Sequence, residues 1–421
     1  MMDEAQAHRI QLRSQLAHWR TAVLGLKDLE NFAAPQAWQA LEHYLGLAVR
    51  RHLQEAATGL ELELDAIHAD LRAARVHDEL HRTQRRVHAF RRRYLQVETV
   101  LEFYGHAIQS RGTTRLAELL RACDTLVAQS MEAALRPLGI ESPPVLVYID
   151  QGLGASILRA GVRLWDGGSL SPAAAIKLTR FNLNRPTSMM HEGGHQIAHL
   201  TGWNQELKLA LRNGIPDRMV ADAWEGWATE LGPDLIAFAF TGYGAVAALH
   251  DVVASDEVFN FPLGDPHPIA FLRVLVGVQM CVRFFGAGPW DVLQRAWLEN
   301  HPISSAPNAV RGLLERSVEQ LPRIVEIGLR TPMRSFRGRS LAALVDPTRV
   351  SPAALAQLAR DAGPALTTSS HWLRTEGIRM LGRSAMLVAT EPERAEEIAL
   401  EFETWMRNLG ALAPTQARAV A

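Results

Sequence analysis

Apolar residues recur at helical spacing over most of the chain, and two stretches near the N-terminus keep a stricter repeat. From Leu53 to Ala74, and again from Val76 to Ile108, mainly apolar positions alternate in steps of three and four, the spacing of a coiled-coil seam. The register of the repeat shifts near Arg75. This shift predicts either a tight antiparallel hairpin at that point or one long helix with a discontinuity.

The pattern changes after Pro143 and Pro144, where short β-branched or alternating segments are separated by glycine and proline. They predict three strands of a small sheet, at residues 145–149, 156–165 and 173–183. From Arg185 to the end, helical patterns return, and the uncharged run from Leu235 to Leu249 predicts one buried helix. We therefore expect a mainly α protein with a small β-sheet (α+β).

The same changes of pattern predict that the chain is divided into three regions. Residues 1–140 form a helical, coiled-coil-like region, residues 141–300 form a metal-binding domain, and residues 301–421 form a C-terminal helical region that packs on it.

The charge of the chain argues against a protein that binds nucleic acid. With 44 basic and 45 acidic residues, the 421-residue chain has a net charge of -1, so no overall field attracts nucleic acid and no nucleic-acid partner is expected. Arginines cluster in the second heptad stretch, and neighbouring acids favour a solvated helix face over an anionic partner. These arginines are Arg82, Arg85, Arg86, Arg91, Arg92 and Arg93.

The chain also lacks the signals of export. The uncharged run from Leu235 to Leu249 is shorter than the ~20 residues of a membrane span. The N-terminus carries acids where a signal peptide carries basic residues. Cys123 and Cys281 lie far apart and match no metal or redox pattern, which fits a reducing compartment. We expect a cytoplasmic bacterial protein without a membrane span.

The chemistry is concentrated in the segment from His191 to His195, which reads His-Glu-Gly-Gly-His. On a helix the two histidines project from one face, one turn apart, and both can bind one Zn²⁺ ion. Glu192 then lies beside the metal, where a general base for an activated water has to be. Two glycines inside a helix destabilise it by roughly 1 kcal/mol each, so Gly193 and Gly194 indicate a close approach of backbones.

A third ligand has to come from elsewhere in the chain. His199 continues the histidine ladder, but residues eight apart on a helix are ~12 Å apart along its axis, so it is expected in the core or beside the ligands. The metzincin continuation would need glycine at Ala198 and histidine at Thr201, and both are absent. A carboxylate on a following helix is the remaining solution, and the segment from Asp222 to Glu230 supplies it.

In this segment the sequence resembles the gluzincin-type zinc peptidases, which pair His-Glu-x-x-His with a downstream glutamate. Glu-Gly-Trp-Ala at residues 225–228 is similar to the third-ligand helix of some bacterial members. The resemblance covers roughly residues 173–273 and implies a zincin-like domain with His191, His195 and Glu225 as ligands and Glu192 as base. Glu230 is the competing ligand, since at 100° per residue it is rotated ~140° from Glu225 and both cannot face the metal.

Hydrolysis also needs a group that stabilises the oxyanion. Asp265-Pro266-His267-Pro268 followed by Arg273 resembles an element found after the ligand helix in several zinc peptidases, which implies His267 as this group. Tyr243, His250 and Arg273 are the alternatives, although for Tyr243 and His250 a place in the core of an apolar helix is favoured. Asp265 capping the next helix, with His267 as a surface turn residue, is the structural alternative. The segment 173–183 takes the place of the strand that aligns extended substrates.

These features predict a zinc-dependent peptidase that acts on a peptide or protein substrate through a Zn²⁺-activated water. The rival hypothesis is a non-catalytic interaction or assembly protein on a zincin-like scaffold, self-associating or binding a protein partner through its N-terminal helices. An intact Glu192 argues against it, because a structural metal site needs no base. Substrate, endo- or exopeptidase action and oligomeric state are not determined by the sequence.

Overall fold

The computed structural model describes residues 4–151, 156–158, 173–260 and 266–412. Within these ranges the chain is mainly α-helical with one three-stranded sheet, as expected. Contacts divide the described residues into two compact units: the first contains residues 4–113, 158 and 173–175, and the second contains residues 114–151, 156–157, 176–260 and 266–412. The expected boundary near residue 140 differs from this division, because the helix at 114–135 packs with later elements of the second unit.

The N-terminal unit is a set of four helices: α1 (Glu4–Lys27), α2 (Pro35–Leu45), α3 (Val49–Ala73) and α4 (His77–Gln109). Asp70 of α3 pairs with Arg86 of α4, and Glu63 of α3 pairs with Arg93 of α4. The earlier residue of α3 thus pairs with the later residue of α4. The two helices are therefore an antiparallel hairpin, and the alternative of one long helix is wrong. Apolar seam positions of both helices are buried, and α1 packs against each of them.

The ion pairs also account for part of the arginine cluster. Arg86 and Arg93 of α4 face acids of α3, as expected for a solvated, charge-balanced helix face.

The second unit contains the remaining helices, strand β1 and the larger parts of strands β2 and β3. In chain order these are α5 (Thr114–Leu135), β1 (Val145–Ile149), β2 (Ser156–Leu158), β3 (Ala174–Leu178), α6 (Ser188–Thr201), α7 (Trp203–Gly214), α8 (Arg218–Thr241), α9 (Tyr243–Val253), α10 (Ala270–Phe285), α11 (Trp290–Asn300), α12 (Asn308–Arg330), α13 (Leu341–Leu344), α14 (Pro352–Ala362), α15 (Ser370–Thr375), α16 (Gly377–Thr390) and α17 (Ala395–Leu412). α8 is central, since it contacts α6, α7, α9, α12 and α16.

The sheet is smaller than the sequence pattern predicts. Its strand order is β1-β3-β2, and a short 3₁₀ helix at Arg180–Asn184 replaces the expected continuation of the third strand. Residues 159–165 of the second predicted strand lie outside the described residues. The buried carboxylate of Asp124 on α5 accepts a hydrogen bond from the backbone N–H of Val147, 2.6 Å away, and so ties the sheet to the helices.

The predicted single helix from Leu235 to Leu249 is in fact two. Gly242 separates α8 from α9 and has φ +58°, a conformation that strains residues with a side chain. A Cβ at this position would also lie 2.7 Å from the carbonyl oxygen of Val350. Among the described residues, no helix is long and apolar enough to cross a membrane.

Candidate metal centre

α6 carries both histidines of the motif on one face, as their spacing predicts. Their rings lie 4.8 Å apart, edge to face, and both side chains are mostly buried. The two glycines between them allow α6 to approach its neighbours. A Cβ at Gly194 would lie 2.9 Å from the Cα of Pro233 on α8, and one at Gly193 would lie 3.1 Å from a methyl group of Val127 on α5.

Glu230 of α8 completes the cluster across this helix crossing. Its Oε2 atom lies 3.4 Å from Nε2 of His191 and 3.3 Å from Nε2 of His195. His267 Nε2 lies 3.2 Å from the same oxygen. One ligand atom each from His191, His195 and Glu230 lie within 4.8 Å of one another, which is a set able to hold one metal ion.

The carboxylate oxygen at the centre of this cluster is not satisfied by the protein. Oε2 of Glu230 is buried, and although three imidazole nitrogens are within reach, none is aligned to donate a hydrogen bond. Burial alone would raise the pKa of Glu230, but the imidazoles around it hold that pKa well below its usual range. A buried, ionised oxygen without a hydrogen bond is costly unless something else coordinates it.

Glu225, the expected third ligand, does not reach the histidines. Its Oε2 atom accepts a hydrogen bond from Arg212 Nη1 of α7 at 2.8 Å. The assignment of Glu225 as ligand is therefore corrected, and Glu230 is the glutamate that faces them. The reason is the rotation of α8 about its axis, which presents one of the two carboxylates to α6.

Sequence reasoning missed Asp234, a buried residue one helical turn after Glu230. Its Oδ1 atom lies 2.7 Å from Nδ1 of His191, which donates a hydrogen bond to it, so that Nε2 is the ring nitrogen that faces the cluster. The only signal in the sequence is the four-residue spacing of Glu230 and Asp234, which places both on one helix face.

Arg273 of α10 holds Asp234 in turn. Its guanidinium donates two hydrogen bonds to the carboxylate, from Nε at 2.6 Å and from Nη2 at 2.8 Å. Burial alone would lower the pKa of His191, but Asp234 outweighs it and raises that pKa to about 9. Burial would likewise raise the pKa of Asp234, yet Arg273 and His191 hold it far below its usual range. Arg273, an alternative for the oxyanion role, is thus engaged with Asp234.

Glu192 and His267, together with His191, line a cavity of about 480 Å³. Glu192 is 6% exposed, and burial raises the pKa of its carboxyl. His267 is the more open of the two, with 46% of its side chain exposed. Asp265, its expected neighbour at the helix cap, lies outside the described residues. Most of the remaining cavity wall is apolar and includes Ala237, Phe238, Val246, Leu249, Val253 and Met280.

The other candidates from the sequence lie elsewhere. Tyr243 is buried against Trp290, and burial raises its pKa to about 12. The His250 ring lies edge to face against Trp297, and its Nδ1 atom lies 2.9 Å from Oδ1 of Asp251. Neither is among the described residues that line the cavity. His199, expected in the core or beside the ligands, is exposed in the last turn of α6.

Comparison of the chain with models of protein families, with curated proteins and with solved structures found no match.

Proposed function

We propose that this protein is a zinc-dependent peptidase whose centre is formed by His191, His195 and Glu230. The observation that carries the proposal is the buried Oε2 atom of Glu230, which faces the Nε2 atoms of both histidines without a hydrogen bond. An ion coordinated by all three residues would satisfy this oxygen.

The donor set fits Zn²⁺. Two imidazole nitrogens and one carboxylate oxygen are typical of catalytic zinc sites, which keep a further position open for water or substrate. His267 is not part of the set whose ligand atoms all lie within 4.8 Å of one another, and this favours an open centre over a closed structural one. When bound, zinc would supply Lewis acidity that lowers the pKa of a water and polarises a carbonyl group.

The chain's own groups would supply the proton transfers. Glu192 follows the first ligand directly and lines the cavity, so it can accept a proton from the attacking water and return it to the leaving amine. Its raised pKa suits a group that has to both gain and lose a proton. His267, at the open side of the same cavity, can donate a hydrogen bond to the oxyanion.

Two further features support a peptide substrate. The resemblance to gluzincins, a His-Glu-x-x-His helix followed by a helix with a liganding glutamate, favours amide hydrolysis on a zincin-like scaffold. The apolar cavity wall beyond the polar residues offers a place for an apolar side chain next to the scissile bond.

The decisive test is Glu192→Gln, which removes the base and keeps the size of the side chain. Zinc content and fold should be unchanged, while kcat in a peptide-library digest should fall at least ~10²-fold, the scale of general-base catalysis. Glu225→Gln is the matched control, since this carboxylate lies outside the cluster. A Glu192→Gln variant that cleaves as well as the parent would show that the mechanism is wrong.

Assembly through the N-terminal unit is a second candidate, and it is compatible with the first. It is favoured by the compact N-terminal unit that contains α1 to α4. A concentration series of the full chain in light scattering tests it, and a constant monomer mass would count against it.

A further inference from the structure

Three histidines form a second cluster, located within the N-terminal unit. His77 and His81 are one turn apart at the start of α4, and their Nε2 atoms lie 2.9 Å from each other. His8 of α1 lies against both, with its ring 5.9 Å from that of His77 and 5.1 Å from that of His81. One ring nitrogen from each of the three residues lies within 4.8 Å of the other two.

A hydrogen bond between two imidazoles does not explain this arrangement. His77 and His81 could share one N–H, and this would satisfy the pair. His8 is different, because its Nε2 atom is buried and has no hydrogen-bond partner. A buried ring nitrogen without a partner is costly, and either a hydrogen-bond partner or a bound cation would satisfy it.

The protein backbone holds both contributing helices in place. Arg9, next to His8, donates hydrogen bonds to the carbonyl oxygens of Leu71 and Ala74 at the end of α3, at 3.0 and 2.8 Å. The Glu79 carboxylate accepts hydrogen bonds from the backbone N–H groups just before α4. These bonds hold the first turns of α1 against the end of α3 and fix the start of α4, and the three imidazoles meet there.

We propose that His8, His77 and His81 form a second metal site, for a divalent transition ion such as Zn²⁺, that clamps α1 to α4. Imidazole nitrogen suits zinc, copper and nickel far better than magnesium or calcium. His77 and His81 are exposed, so solvent can complete the coordination shell. The site is separate from the proposed peptidase centre and does not depend on it.

The experiment counts zinc bound by the full chain, with the metal set by a chelator buffer and the protein analysed for bound equivalents. We expect two equivalents for the parent and one for His8→Ala, His77→Ala and His81→Ala. His88→Ala, an exposed histidine of the same helix, is the matched control and should keep two. His81→Gln tests the role of a hydrogen bond, since it keeps a polar side chain and should still lose the equivalent.

A background with His191→Ala and His195→Ala separates this site from the other one. There we expect one equivalent, a melting temperature that rises when zinc is added, and loss of both effects on His77→Ala. If all three single variants bind as much zinc as the parent, the proposal is overturned. If His8→Ala alone keeps the second equivalent, the exposed pair binds without α1 and the clamp is wrong.

Discussion

Gly194→Ala tests whether the contact between α6 and α8 sets the geometry of the metal centre. The added Cβ would lie 2.9 Å from the Cα of Pro233 and 3.3 Å from the Cβ of Ile236. Because the nearest atom belongs to the backbone, no side-chain rotation relieves the clash. The helices have to separate until this contact reaches at least 3.4 Å, a shift of about 0.5 Å.

Two opposing effects set the expected change in stability. Alanine is favoured over glycine inside a helix by ~1 kcal/mol. Overpacking at a tight contact costs ~1–3 kcal/mol, so the net loss in unfolding free energy should be about 1 kcal/mol. The effect on the metal should be larger, because His191 and His195 lie on one side of the crossing and Glu230 on the other. Ligand distances tolerate only ~0.2 Å, so we expect a loss in zinc affinity of about 10- to 100-fold.

Gly226→Ala is the matched control, since it lies in α8 and a Cβ there would meet nothing within 4 Å. It should leave zinc affinity unchanged and raise stability by ~0.5–1 kcal/mol. Urea unfolding followed by tryptophan fluorescence measures the stabilities, and competition with a chelator measures the affinities. Equal zinc affinity in the two variants would refute the argument that this contact positions the ligands.

Four further substitutions test individual side chains. Glu230→Ala should lower zinc affinity more than ~100-fold in chelator competition while Glu225→Ala should not, and the reverse order would restore Glu225 as ligand. Arg273→Met should destabilise the protein by ~3–5 kcal/mol in urea unfolding, because it leaves the buried Asp234 carboxylate without its arginine partner, and an unchanged midpoint would contradict this. His267→Ala should lower kcat by ~10²–10³ with little change in KM or zinc content, and an unchanged kcat would remove His267 from the oxyanion role.

The features that could be predicted from the sequence all depend on local interactions. The mainly α character, the breaks between many helices and the presence of a small sheet follow from apolar periodicity and from glycine and proline positions, which act over a few residues. The placement of His191 and His195 on one face of α6 is also predictable from the sequence, because helix geometry alone puts residues i and i+4 on one face. The register shift near Arg75 likewise marked the α3–α4 turn.

The contacts between groups far apart in the sequence depend on how the helices pack. Glu225 and Glu230 are equivalent in chemistry, and the choice between them depends on the rotation of α8 against α6, which the contact of Gly194 with Pro233 constrains. The bonds from Asp234 to His191 and Arg273 join three different helices, and no local pattern encodes them. Contacts between residues far apart in sequence arise from packing the whole core at once, so their geometry appears only when the helices are assembled.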